Sequence, residues 1–140
     1  MPRSNIVFFT GTNHVFLRRD LDAWIDIFAK KYGEYNISRL DKDSMIKINL
    51  QSELLTPVFL GEKRLIILED VPFSVNSKDH EGIDDLGSKT NDLELSLIQS
   101  LDHIPTTTIV LFVSSEPDKR KMLYKKLIAE ATVKEYAHLE

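Results

Sequence analysis

Near the start of the chain stands the stretch Asn5-Ile6-Val7-Phe8-Phe9-Thr10-Gly11, which decides the fold class. Its apolar residues follow one another without alternation, a pattern typical of a strand covered on both faces, as in a parallel sheet. After Gly11 the apolar residues recur at helical spacing from Asn13 to Tyr32, and Gly33 is a suitable stop for that helix. The stretch therefore predicts the first strand and the first helix of an α/β fold.

The rest of the chain repeats this alternation. It predicts further strands at 36–39, 64–69, 106–113 and 132–136, and further helices at 50–55, 93–102 and 118–131. We therefore expect a five-stranded parallel sheet with helices on both faces, built by residues 1–140 as a single domain. Residues 41–49 have a mixed pattern, and the polar segment 74–92 predicts a long surface loop. Asp118 stands near the start of the last helix, where the helix dipole favours a carboxylate.

Composition limits the classes of function. Apolar residues make up 42% of the chain and charged residues 29%, the balance of a globular protein. No apolar run approaches the roughly 20 residues of a membrane helix, and the opening residues do not predict a signal peptide. The absence of cysteine excludes disulfides and thiolate metal sites and fits a reducing cytosol. A formal charge of −4 argues against a domain whose main task is to neutralise phosphates.

The turn after the first strand has the position of a phosphate-binding loop without its chemistry. In a G-x-x-x-x-G-K-[ST] loop, glycine amides surround the phosphates, the lysine reaches them and the hydroxyl binds magnesium. Counted from Gly11, the second glycine is Phe16, the lysine is Leu17 and the hydroxyl is Arg18. These residues predict a degenerate loop that binds no nucleotide. The alternative is that Gly11 simply ends a strand in an unrelated α/β fold.

Other polar groups do not form a recognisable site. Glu69-Asp70 follows a strand, as the acidic end of a Walker B strand would, but solvated carboxylates are the simpler interpretation. Lys119, Arg120, Lys121, Lys125 and Lys126 predict a basic helix face, which suits solvent, DNA or an acidic partner. The four histidines are scattered without ligand spacing, so no metal site is expected: His14, His80, His103 and His138.

Three stretches resemble the bacterial DNA polymerase III delta subunit. They are Phe8-Phe9-Thr10-Gly11 ahead of Phe16-Leu17, the segment from Thr56 to Leu68, and the segment from Asp118 to Leu127. The three stretches stand in the order and spacing of the family, so the resemblance covers essentially the whole chain. Two departures are Thr12-Asn13-His14, where the family commonly has an acidic residue, and Phe59-Leu60, where it usually has Leu-Phe.

The resemblance implies a fold and a function. The fold is that of the P-loop NTPases (AAA+/RecA-like type) with a degenerate nucleotide site and no cofactor. The function is to bind the sliding clamp and help to open its ring for loading onto DNA during replication. Further partners are the other clamp-loader subunits, through C-terminal domains missing here, and DNA, through the assembled complex. The domain itself is expected to be non-catalytic and cytoplasmic, within a complex that belongs to a DNA polymerase.

The resemblance also places the clamp-binding element after the short helix. It implies five apolar residues: Val58, Phe59 and Leu60 in the tip, with Leu54 and Leu55 in the helix before it. The residues agree, because an apolar run between Pro57 and Gly61 predicts a turn, and turns lie on the surface. The alternative for the tip is packing into this chain's own core.

Three other identities are weighed. An ATPase with an unorthodox phosphate loop would need the chemistry that Phe16 and Leu17 lack. A doubly wound regulatory domain would need partner carboxylates beside Glu69-Asp70. The related delta-prime subunit would normally carry zinc-binding cysteines, which this chain lacks.

Overall fold

The chain alternates between strands and helices. The computed structural model describes residues 3–56, 63–71 and 93–136. Its strands are β1 (Arg3–Thr10), β2 (Ile37–Leu40), β3 (Arg64–Glu69), β4 (Thr108–Ser114) and β5 (Ala131–Glu135). Its helices are α1 (His14–Tyr32), α2 (Lys42–Lys47), α3 (Leu50–Leu55), α4 (residues 93–100) and α5 (Met122–Glu130). Short 3-10 turns lie at Glu34–Asn36 and Leu101–His103. The predicted loop at 74–92 is outside the described residues.

All neighbouring strands of the sheet are parallel. The order is β2-β3-β4-β1-β5. From β1 the chain passes to the edge strand β2, returns through β3 to β4 beside β1, and then crosses β1 to form β5 at the other edge. Because the sheet is parallel, the carboxyl ends of all its strands lie at one edge. The predicted five-stranded parallel α/β fold is confirmed.

The central strands are buried on both faces, as the non-alternating apolar runs predict. Ile6 and Phe8 of β1 pack with α2, α3, α4 and α5 on one face of the sheet. Val7 and Phe9 pack on the other face with α1, through Leu17 and helical neighbours. Helices therefore cover both faces, but unevenly. In the ranges described, no helix is both long and apolar enough to cross a bilayer.

The mixed segment 41–49 contains a helix that the sequence pattern did not predict. Asp41 caps α2, because its side chain accepts a hydrogen bond from Ser44 N at 2.8 Å. Hydrogen bonds from the backbone and side chain of Ser44 lower the pKa of Asp41. Met45 buries its side chain in the core and so packs this short helix against the sheet. Six residues are fewer than two helical turns, too short a stretch for a helical period to be detected.

The last helix begins later than predicted. α5 begins at Met122, so Asp118 lies outside it and cannot act on its dipole as expected. Asp118 instead builds a turn, since its carboxylate accepts a hydrogen bond from Arg120 N at 3.0 Å and its carbonyl one from Lys121 N at 3.1 Å. Short-range side-chain bonding of this kind competes with the helix.

The packing of α4 can be tested with two leucines of the same helix. Leu97 is fully buried, whereas Leu95 is 53% exposed. We expect Leu97→Ala to lower the free energy of unfolding by about 2–5 kcal/mol, because it leaves a cavity. Leu95→Ala should change it by less than about 1 kcal/mol. Urea denaturation followed by circular dichroism measures both, and equal losses would contradict this orientation of α4.

Candidate functional site

The carboxyl edge of the sheet holds a crevice at the place where α/β folds commonly bind ligands. β1 and β4 are neighbours, but the helices that follow them, α1 and α5, lie on opposite faces of the sheet. Such a switch point opens a crevice beyond the strand ends. Here it has a volume of about 500 Å³, lined by residues 10–12 after β1, 115–120 after β4, and Glu135.

The turn after β1 is only three residues long and is held by the end of β5. Tyr136 N donates to Thr10 O at 2.7 Å, and Asn13 N donates to Tyr136 O at 2.8 Å. Gly11 has a φ of +126°, and a Cβ there would overlap the backbone of Tyr136. Gly11 is therefore required by the close approach of β5 to the turn, independently of any phosphate.

Three amides at the end of this turn and the start of α1 have acceptors within the chain. Besides Asn13 N, His14 N donates to Thr12 O at 2.9 Å, and Phe16 N donates to Asn13 Oδ1 at 3.3 Å. In a phosphate-binding loop such amides point at the anion. In this structure they are satisfied from within the chain.

The three residues at the remaining phosphate-loop positions lie within α1. Phe16 is 44% exposed, and the Arg19 guanidinium lies 5.1 Å from its ring centroid. Leu17 is buried against the sheet, and Arg18 is exposed. Because α1 begins at His14, the residue at the lysine position points into the core.

Tyr136 also joins β5 to α1 through its side chain. Its hydroxyl donates to Asp20 Oδ2 at 2.7 Å, and its ring centroid lies 5.5 Å from that of Phe9. Burial and the hydrogen bond to Asp20 raise the pKa of Tyr136, so the phenol stays protonated. Sequence reasoning missed this residue, since nothing local marks it.

The acidic pair Glu69-Asp70 at the end of β3 does not line the crevice beside the Gly11 turn. Arg39 Nε donates to Glu69 Oε2 at 3.1 Å, so Glu69 is engaged with β2. Asp70 sits in a turn with a φ of +65°. The structure assigns Glu69 to an ion pair between neighbouring strands.

The predicted basic helix face is largely neutralised by ion pairs. Arg120 Nε and Nη2 each lie 2.9 Å from the Asp118 carboxylate. Lys121 Nζ lies 3.3 Å from Glu94 Oε1, an ion pair without hydrogen-bond geometry, which leaves that buried oxygen unsatisfied. Burial raises the pKa of Glu94, and Lys121 opposes the shift. Lys126 pairs with Glu130 at 2.8 Å.

The segment between α3 and β3 has a fixed base. Arg64, at the start of β3, forms an ion pair with the Glu53 carboxylate, and its Nη1 donates to Glu53 O at 3.1 Å. Its Nη2 also reaches Ser38 Oγ at 3.4 Å. Because only 18% of the Arg64 side chain is exposed, the contact is shielded from water and ties the end of α3 to the sheet.

The family model for DNA polymerase III, delta subunit, matches residues 8–137, nearly the whole chain. The chain belongs to the DNA polymerase III delta-subunit family. A solved structure with a similar fold is the Bacillus subtilis DNA clamp loader delta protein (YqeN), at 24% identity and a TM-score of 0.66. That match covers 97% of this chain and 39% of the solved chain, so this chain spans well under half of its length. No curated protein matches the chain.

In this delta-subunit family member, the predicted clamp-binding residues fall into two groups. Val58, Phe59 and Leu60 lie outside the described residues. Leu54 is fully buried in the core with α4 and α5, so it supports the helix and has no surface to offer a partner. Leu55 is half-buried against the same cluster.

The role of Gly11 can be tested against a second glycine with positive φ. Gly11→Ala should destabilise the chain by more than about 3 kcal/mol, because it adds an overlap with the Tyr136 backbone to the strain of positive φ. Gly33 has a φ of +94°, but its closest neighbour is the exposed ring of Tyr35, which can move. Gly33→Ala should therefore cost less. Urea denaturation compares them, and a Gly33 variant that is the less stable would contradict the assignment.

The Asp118 turn predicts a pH dependence of stability. Hydrogen bonds from the Arg120 side chain and backbone lower the pKa of Asp118 to about 2, below the roughly 3.9 of an unfolded chain. A lowered pKa stabilises the fold above the unfolded value, and this contribution is lost as pH falls from about 4 to 2. Urea midpoints should thus fall less steeply over that range in Asp118→Asn, and partly so in Arg120→Gln. Parallel profiles for parent and variants would contradict the shift.

Proposed function

We propose that this chain is the clamp-binding domain of a longer delta subunit, and that it binds the sliding clamp and helps to open the ring without binding ATP. The observation that carries the proposal is the match to the delta-subunit family over residues 8–137. The match to only 39% of the solved relative supports the view that further domains complete the protein.

The clamp-binding tip is Val58, Phe59 and Leu60, the apolar run that follows α3. Its base is suited to present a tip, because the Arg64–Glu53 ion pair joins the two chain segments on either side of it. Leu54 anchors α3 in the core, and Leu55 lies at the margin of that core.

Two apolar side chains are enough for a specific grip. Burying a Phe and a Leu in pockets of the clamp contributes about 1.5–3 kcal/mol each. Such centrally buried aromatic and aliphatic anchors commonly dominate the energetics of an interface. Phe59 and Leu60 are the proposed anchors, with Val58 beside them.

Independence from ATP follows from the turn after β1. The amides of Asn13, His14 and Phe16 donate to acceptors of the chain itself, and the residue at the lysine position is the buried Leu17. These contacts support a degenerate phosphate loop in a fold of the AAA+ type. Catalysis and ATP hydrolysis then belong to other subunits of the complex, and no observation favours an ATPase or a regulatory phosphoacceptor in this chain.

The wider setting follows from the same family. The remaining partners are the other clamp-loader subunits, which would contact domains beyond this chain, and DNA within the assembled complex. The chain would act in the cytoplasm as part of a DNA polymerase.

Clamp binding can be measured by calorimetry with the cognate sliding clamp. We expect the double variant Phe59→Ala/Leu60→Ala to weaken binding by about 100-fold or more, from the loss of both buried side chains. The matched control is Val15→Ala/Phe16→Ala, which removes an exposed apolar pair from α1 and should leave affinity unchanged. Circular dichroism confirms that both variants are folded.

The outcomes separate the family from the site. Equal weakening by the two double variants, or none by either, would place the clamp contact elsewhere. Absence of binding between the parent chain and the clamp would overturn the clamp-binding proposal. Binding of Mg-ATP at micromolar concentration would overturn the proposal that the chain does not use ATP.

A further inference from the structure

The α1 face of the sheet is only partly covered. An α-helix with its side chains is about 10–12 Å wide, whereas strands repeat every 4.8 Å or so, making a five-stranded sheet nearly twice that width. Among the described residues, α1 is the single helix on this face. It packs over the middle of the sheet, through Val7, Phe9 and Leu111. A groove of about 510 Å³ remains beside it, between α1 and the edge strand β2.

The floor of this groove is apolar. Ile25 and Ala29, one turn apart on α1, face Ile37 of β2 across it. All three side chains are half-buried, so the groove retains apolar surface that a further segment can cover. Parallel sheets normally bury both faces, and the groove lies over the part of this face that α1 does not cover.

The rim of the groove is acidic. Asp22 and Asp26 of α1 and Glu34 after it line the opening, and all three are exposed. Lys30 lies 3.2 Å from Asp26, but both side chains are more than 60% exposed, so this pair neutralises little. Arg39 at the other wall is engaged with Glu69. The rim therefore presents a negative field above an apolar floor.

The outer edge of β2 adds a third feature. β2 is the terminal strand, and within the ranges described it pairs with β3 alone. The opposite side of its backbone is therefore open to the pairing of an added strand. Addition of an extended peptide at such an edge is a recurrent mode of recognition, in which alternate side chains enter adjacent pockets.

We infer that this groove binds an extended partner segment that carries both apolar and basic (lysine or arginine) side chains on its α1-facing side, at every second residue of the strand. Its backbone pairs with the outer edge of β2, its apolar side chains cover Ile25, Ala29 and Ile37, and its cations meet the carboxylates of the rim. The groove lies on the face opposite α3, whose Leu50 and Leu54 pack on the other side of the sheet. The inference is therefore independent of the clamp-binding proposal, and both segments can be bound at once.

The probe is a synthetic hexapeptide with blocked ends in which two valines stand between two pairs of lysines, so that each face of the extended peptide carries both lysine and valine. Titrated into the ¹⁵N-labelled chain, it should shift the amide signals of residues 22–29 of α1 and 37–40 of β2 with a dissociation constant in the micromolar range. The same peptide with glutamate in place of lysine should bind at least tenfold more weakly.

Matched variants distinguish the groove from general charge attraction. Asp22→Asn/Asp26→Asn should weaken binding of the lysine peptide at least fivefold. Asp43→Asn/Glu116→Gln removes the same charge from exposed acids elsewhere and should have little effect. Ile25→Ala should weaken binding, whereas Ile27→Ala, at a residue 66% exposed outside the groove, should not.

Three results would overturn the inference. They are equal weakening by the two acid-to-amide pairs, amide shifts that spare β2, and the absence of binding at millimolar lysine peptide. Circular dichroism of each variant excludes unfolding as the cause of a loss. Failure here would leave clamp binding untouched, because the clamp measurement tests the segment after α3, and α3 packs on the face of the sheet opposite α1.

Discussion

The burial of the central strands on both faces is the constraint on which the rest of the structure depends. β1, β3 and β4 carry apolar residues that are completely removed from water on either side, as in Phe8 and Phe9. A sheet of this kind is stable only when helices cover both faces, and parallel strands supply those helices as crossover connections. The same arrangement gathers every strand's carboxyl end at one edge, where the turn after β1 lies.

That turn shows how one glycine admits two explanations. From sequence, Gly11 after an apolar strand indicates the remnant of a phosphate loop. In the structure, Gly11 makes room for the Tyr136 backbone, whose carbonyl accepts the Asn13 amide. In nucleotide-binding proteins with this architecture, the N-terminus of the first helix attracts an anion. At the N-terminus of α1 the acceptor is a carbonyl oxygen of the chain itself.

Helices cover the two faces of the sheet unevenly. The face with four helices carries α3, which the Arg64–Glu53 ion pair ties to the start of β3. The face with α1 leaves an acidic groove beside β2. The two binding proposals concern different elements, the segment that follows α3 and the groove beside α1.

Charge patterns were the least reliable part of the sequence signal. The lysines and arginines from Lys119 to Lys126 suggest a basic face when read along the chain. Two of the five, Arg120 and Lys121, form ion pairs with Asp118 of the preceding turn and Glu94 of another helix. Asp118 also explains the late start of α5. Its hydrogen bond to Arg120 N forms a turn, so residues 118–121, which the pattern assigned to the helix, precede it.

The sequence by itself determined the alternation of strands and helices apart from α2, the parallel α/β class and the family. These follow from local periodicity and from motifs, which are properties of neighbouring residues. Only the tertiary structure decided the filling of the Gly11 turn by Tyr136, the burial of Leu54, the fixed base at Arg64 and the groove beside β2. Each of these depends on the order of strands in the sheet, which brings together residues as distant as Asp20 and Tyr136, 116 positions apart. No local pattern encodes such a contact, because its energy arises only when the sheet has formed.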